Sequence, residues 1–301
     1  MVLSGLLQPE AKITYRSSVI EELHIGKGHG SNTEIHVGSC CFIARSHQRI
    51  AHHKHEAHAG NTVNLTGFYD ELSELLENSD TVFITVPDNS IREVYEQIRD
   101  IGIAGKQICH CSGAMSALEA FPDIARYGAS GCSIHPLFPV SSKYDSFREL
   151  RNAFFCIEGS EAHVMQWKRI LEEIGNPVRV ISGNNKCEYH AACVVSSNLV
   201  CALAEESIEL LKKCGFTEDE AVKALQPLVM SNIRHIFKVG PVEALTGPVE
   251  RNDVSTVQKH IECMNKENDR AMYRAVSRKL VEVAQKKHPD SDYTRMRKIL
   301  L

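Results

Sequence analysis

Apolar and polar positions follow two recurring patterns along most of this chain, short near-continuous apolar runs and longer stretches with a period near 3.6. Residues 69–77 place Leu72, Leu75 and Leu76 at helical spacing and stop at Asn78, Ser79 and Asp80. Residues 81–87 are an almost unbroken apolar run, the pattern of a parallel strand covered on both faces. Helical period returns over 90–98 through Ile91, Val94 and Ile98. Strand-like runs recur at 107–111, 133–137, 153–157 and 178–181, with helical patterns at 117–121 and 164–174. Strands alternating with helices at this pitch predict βα units and a mostly parallel sheet.

After Gly183 the strand pattern ceases. Residues 184–214 read as one helix of 31 residues, about 46 Å long, opened by Asn184 and closed by Lys212, Lys213 and Gly215. Thr217 and Glu220 have capping-box spacing for the next helix, which Pro227 is expected to kink and Gly240 to end. Two more helical patterns, 253–265 and 269–287, complete the run. The expected architecture is an α/β domain over 1–183 followed by an all-helical domain over 184–301.

Composition agrees with two globular domains. The chain has 301 residues, 43% apolar and 24% charged, which excludes a disordered polymer. Its 34 basic and 38 acidic side chains leave a net charge of −4, which argues against nucleic acid or an anionic membrane as the main partner. The longest apolar run, 191–204, is interrupted by Ser196, Ser197 and Asn198, so no membrane span is expected. The opening residues lack a basic start followed by an apolar core, so no secretory leader is expected. The 11 cysteines include no Cys-x-x-Cys pair, which suits buried free thiols in a reducing cytoplasm better than disulfides or structural zinc.

The first 66 residues show neither period. A doubly wound domain continuing from Thr81 needs two earlier βα units here, opened by G-x-G-x-x-G. Ile25-Gly26-Lys27-Gly28-His29-Gly30-Ser31 keeps the first two glycines and has Ser31 at the third position. His47, His52, His53, His55 and His58 have neither a regular element to fix their geometry nor a carboxylate or thiol set beside them, so no metal is expected.

Candidate chemistry collects at strand ends and on the long helix. In open α/β sheets ligands sit beyond the carboxyl ends of strands. Val86, Pro87 and Asp88 stand at one such end, Ser112 and Gly113 at another, where a glycine lets the backbone approach a nicotinamide or ribose; the alternative is that Pro87 and Gly113 merely turn the chain. Lys186, Tyr189, His190, Cys193 and Ser197 share one helical stripe. Lys186 and His190 are the proton-transfer candidates, because burial and neighbours tune either toward neutral pH; the alternative is a solvated lysine and a hydrogen-bonded core histidine. Thr246, Gly247 and Arg251 precede a helix start and suit a carboxylate or phosphate, or else form a capped loop with Asp253 as N-cap. His135, held extended before Pro136, could line the cleft as a substrate contact or be structural.

Five segments together resemble a family. They are 81–88, His110-Cys111-Ser112-Gly113-Ala114, Ser133-Ile134-His135-Pro136-Leu137, Lys186-Cys187-Glu188-Tyr189-His190 with Ser197-Asn198, and 245–253. The chain from Phe68 onward resembles the Rossmann-like oxidoreductases that carry a C-terminal helical domain of unknown function, similar to the C-terminal domain of 6-phosphogluconate dehydrogenase. Pyrroline-5-carboxylate reductase, ketopantoate reductase and the deazaflavin-dependent NADP oxidoreductases are related by fold. The resemblance implies a Rossmann-like dinucleotide-binding domain, an NADP or NAD cofactor, and hydride transfer to or from a small anionic carbonyl, imine or alcohol. It implies that Lys186 and Asn198 face the nicotinamide, and that the helical domain lines the interdomain cleft and forms a homodimer. Residues 26–66 depart from the family's pattern, which a length-preserving change of reading frame would explain. The competing expectation is a non-catalytic binding protein that has lost the dinucleotide fingerprint.

Overall fold

The computed structural model describes residues 72–139 and 150–301, together with the backbone of two strands, β1 (Ile13–Arg16) and β2 (Cys40–Arg45). The 26–31 glycine segment and the histidines from His47 to His58 lie outside the described residues. The described elements continue with α1 (Leu72–Glu77), β3 (Thr81–Ile84), α2 (Asp88–Ile101), β4 (Gln107–His110), α3 (Ala117–Ala120), β5 (Ser130–Leu137), β6 (Phe154–Gly159), α4 (Glu161–Glu173) and β7 (Val178–Val180). This is the alternation that the sequence predicts, with element ends shifted by a few residues.

The seven described strands lie in chain order in one sheet. Strands β2 to β5 are mutually parallel and β7 is parallel to β6, whereas β1 runs antiparallel to β2 and β6 antiparallel to β5. The sheet is therefore mostly parallel, as expected, with two reversals. Because β1 and β2 are antiparallel, they do not form the parallel opening unit expected of the first residues.

Alternation along each strand feeds two cores. Val82, Ile84 and Ile108 point to one face, under Leu75, Leu76, Ile91, Val94, Tyr95, Ile98 and Phe121 from the first three helices. Phe83 and Cys109 point to the other, with Cys132, Ile134, Ile157 and the α4 residues Val164, Trp167, Ile170 and Leu171. The Trp167 ring meets Phe83 edge-on at 5.3 Å. A sheet apolar on both sides needs helices on both sides, which explains the near-continuous apolar runs.

The expected helix over 184–214 is interrupted. It comprises a 3-10 turn at Gly183–Asn185, α5 (Lys186–Ser196) and α6 (Asn198–Lys213), broken at Ser197 with φ −128° and ψ −73°. Ser196 and Ser197 both turn their hydroxyls back onto carbonyls of the preceding turn, at 2.6–3.2 Å, a bond that competes with the helical ladder. The change of sequence character falls at Gly183, but the chain divides into compact units at 197/198. Lys186, which opens α5, has its side chain anchored on Ser112 and Ser133 of the first unit.

The second unit, 198–301, adds α7 (Glu218–Val239), α8 (Pro241–Ala244), α9 (Val254–Cys263), α10 (Glu267–Lys287) and α11 (Thr294–Ile299). The Thr217/Glu220 capping box forms as the spacing requires, and Pro227 lies inside α7, which continues to Val239. Val249, Val257, Ile261, Val281, Tyr293, Met296 and Leu300 form its core. Among the described residues, 183–213 is long and apolar enough to cross a membrane by length and composition alone, its best window having mean hydropathy 1.3; it is built as two helices broken at Ser197.

Gly159 closes β6 with φ +133°, and a Cβ there would lie 2.2 Å from the Gly131 carbonyl oxygen. Gly159→Ala is expected to destabilise the chain by roughly 3 kcal/mol or more, measured by urea unfolding; a loss below about 1 kcal/mol would show that the strand end simply rearranges.

Candidate functional site

The carboxyl ends of β3, β4 and β5 meet the start of α5, all within the first unit. Ser112, just beyond β4, organises this edge. Its hydroxyl donates to Asp88 Oδ2 at 2.6 Å and accepts the backbone N–H of Met115 at 3.0 Å and of Ala114 at 3.2 Å. Its own N–H donates to His110 Nδ1 at 3.1 Å. Asp88 opens α2, where the helix N-terminus favours a carboxylate. Val86 is buried beside it and Pro87 half-buried.

Lys186 is only 2% exposed, and its ammonium donates to the Ser112 carbonyl at 2.8 Å and to Ser133 Oγ at 2.7 Å. Ser133 Oγ in turn donates to the same carbonyl at 3.2 Å. A buried ammonium must be paired, and the nearest carboxylate influence is buried Glu158 of β6, which accepts the Ala117 N–H at 2.7 Å. Burial lowers the Lys186 pKa, with Glu158 opposing. Burial raises that of Glu158, opposed by the Ala117 hydrogen bond and by Lys186. Burial also pushes the Cys111 thiol up to about 12 despite Lys186 nearby.

Above this layer Gly113 is buried between two imidazoles. A Cβ on Gly113 would lie 2.8 Å from His135 Nε2 and 2.8 Å from His190 Cδ2. His135, which pairs with Cys156 across β5 and β6, places its Nδ1 2.6 Å from the Tyr189 hydroxyl. Burial, Lys186 and His190 hold the His135 pKa down to about 4. His110 is fully buried against Phe121, and burial followed by Lys186 holds it down to about 3.

Of the expected site residues, the structure brings Val86, Pro87, Ser112, Gly113, His135, Lys186 and His190 to one edge. Asn198 opens α6 in the second unit, exposed. Thr246, Gly247 and Arg251 lie on the loop before α9, Thr246 and Arg251 exposed, Gly247 at φ +104°. That loop is held by Lys287 Nζ on the Leu245 carbonyl at 2.8 Å and Tyr293 Oη on the Glu250 carbonyl at 2.7 Å. The alternative expected for Asp253 is seen: it caps α9 by accepting the Thr256 N–H at 3.0 Å. Asp88 stands at the strand end where the sequence puts it, whereas His110, Glu158 and Tyr189 received no role from sequence. Tyr189 shares the Lys186 stripe, the one signal that could have found it; the others depend on strand register. Among the described residues no cluster of His, Cys, Asp or Glu is placed to hold a metal ion.

The class is thus a Rossmann-like α/β domain followed by a helical region. The family described as domain of unknown function DUF2520 matches residues 153–280. The chain is 30% identical to protein TM1727 of Thermotoga maritima, with TM-score 0.58, covering 68% of this chain and 78% of that one. It belongs to the family of Rossmann-like oxidoreductases that carry this C-terminal domain of unknown function. The fold is shared with BF3122 of Bacteroides fragilis, described as an NADP oxidoreductase (20% identity, TM-score 0.54, 68% and 76% covered). It is shared also with an imine reductase of Streptomyces aurantiacus (16% identity, TM-score 0.51, 76% and 82% covered). No curated protein sequence matches.

The two suppressed histidines give this edge a pH signature. Unfolded, each titrates near 6.5; folded, they titrate at about 3 and about 4. Their contribution to stability is full above about pH 6.5 and is lost as pH falls toward the folded values, because the unfolded chain then binds the extra protons. Urea unfolding should show a loss of roughly 2–3 kcal/mol between pH 7.5 and 5.5. His110→Asn, whose amide oxygen can accept the Ser112 N–H, should remove about half of that loss; an undiminished loss would refute the assignment.

Proposed function

We propose that the chain is an NAD(P)-dependent oxidoreductase acting on a small anionic carbonyl, imine or alcohol. The observation that carries this reading is the convergence of His135 and His190 on Gly113 at the carboxyl edge of the parallel strands, where α/β sheets take their ligands. The described residues suit the nicotinamide end of a dinucleotide, with Val86, Pro87, Ser112 and Gly113 as its wall. When bound, that group supplies the hydride.

The residues of this chain do the rest. His190, half-buried beside Gly113, exchanges the proton with the reacting oxygen or nitrogen. Lys186 has committed its ammonium to Ser112 and Ser133, which supports a positioning role in place of the proton transfer expected from sequence. Cys111, Cys132, Cys156, Cys187, Cys193, Cys214 and Cys263 are free thiols, which suits the cytoplasm. A second copy of the chain covers the helical unit: α6 buries none of its residues and α7 only Ala221, leaving Phe237 86% and Leu228 67% exposed.

Thermal unfolding with NADPH, NADH or neither tests the reading. At a hundredfold excess over its dissociation constant, the cofactor should stabilise the chain by about 2.7 kcal/mol, and no shift at millimolar concentration sinks the assignment. Gly113→Ala should abolish the shift through its clash with both imidazoles. Light scattering of detergent-free protein should give a dimer that Phe237→Asp with Leu228→Asp converts to monomer; a native monomer refutes that interface, and a requirement for detergent favours a membrane instead.

A further inference from the structure

The reading above gives the hydrogen bond between His135 and Tyr189 no role. Tyr189 lies on α5 and His135 on β5, with the phenol oxygen 2.6 Å from Nδ1 and the rings crossing at 86°. Burial raises the Tyr189 pKa, reinforced by the Cys156 and Cys193 thiols beside it, so the phenol keeps its proton and has it to donate. Of the acceptors beside that proton, the imidazole nitrogen is stronger than the Cys156 and Cys193 sulfurs, so Nδ1 takes it and the ring's own proton sits on Nε2. That nitrogen points to the Gly113 backbone beside His190, and no partner for it occurs among the described residues.

We propose that Tyr189 is a positioning residue that fixes His135 as a neutral Nε2–H donor, and that this N–H takes an uncharged carbonyl-type oxygen over Gly113. The proposal rests on the reductase reading for its ligand, and on the Tyr189–His135 contact and the protonated phenol for the tautomer. Two sources supply such an oxygen: the carboxamide of the cofactor and the carbonyl of a substrate. A neutral donor gains nothing from protonation, and the surroundings oppose it. Lys186 and His190 face the ring from α5, His110 from β4, and Lys186 is cationic. Cys111, just beyond β4, and Cys156 of β6 are held as thiols and supply no counter-charge, while the Glu158 carboxylate accepts the Ala117 N–H. The arrangement polarises a carbonyl without delivering a proton, leaving proton exchange to His190.

Long-range nitrogen–proton spectra of the full chain labelled at histidine, assigned with His135→Asn, test the tautomer with no ligand present. His135 should show a protonated Nε2 and a bare Nδ1 at every pH from 5 to 8, and Tyr189→Phe should convert this to a mixture of tautomers. An imidazolium appearing in that range, a dominant Nδ1–H form, or a Tyr189→Phe spectrum identical to the native one would overturn the proposal. Addition of NADP+ then separates the sources: a moved His135 Nε2 signal assigns the oxygen to the carboxamide. A signal that moves only when oxamate joins NADP+ assigns it to the substrate. Movement of neither, with other histidines perturbed, overturns the donor role. A spectrum untouched by NADP+ anywhere defeats the reductase reading and the donor role together, while the tautomer is judged by the ligand-free spectra.

Discussion

A single buried ammonium ties the chemistry of this chain to its fold. Lys186 comes from the first turn of α5, yet its charge ends on a backbone carbonyl just beyond β4 and a hydroxyl of β5. Leaving that charge unpaired would cost several kcal/mol, so strand ends and helix start are obliged to meet. The same charge lies close enough to His110 and His135 to oppose their protonation. One interaction therefore sets both where α5 begins and which form the neighbouring imidazoles take.

The edge that results is built in two levels. The lower level is saturated: Ser112 uses its N–H, its carbonyl and its hydroxyl, and Asp88 and Ser133 close the network around it. Groups so fully engaged hold geometry and exchange nothing. The upper level is different, since the two imidazoles on Gly113 include a nitrogen that the described residues leave unpaired. Rigid support beneath and an open donor above is the division of labour expected of a binding or catalytic edge.

The helical unit follows a different logic. Its core gathers on α9, α10 and α11 around Val257, Tyr293 and Met296, and the 245–253 loop is clamped by Lys287 and Tyr293. By contrast α6 and α7 carry apolar residues, Leu228 and Phe237 among them, that stay exposed.

The alternation of apolar runs and helical periods was enough to place β3 to β7, the helices among them and the capping box of α7, because each is a local pattern whose period reports its own burial. The Lys186–His190 stripe and the Ser112–Gly113 turn were legible for the same reason. What the order of residues did not contain is register. Only the antiparallel pairing of β5 with β6 sets Cys156 opposite His135, and only the break at Ser197 assigns α5 to the sheet and α6 to the helical unit. Lys186 shows the limit most plainly: a lysine opening a helix is indistinguishable in sequence whether it is solvated, reactive or sealed inside. Its fate depends on whether acceptors 53 and 74 residues earlier in the chain are brought to its tip, and that is decided by tertiary contact alone.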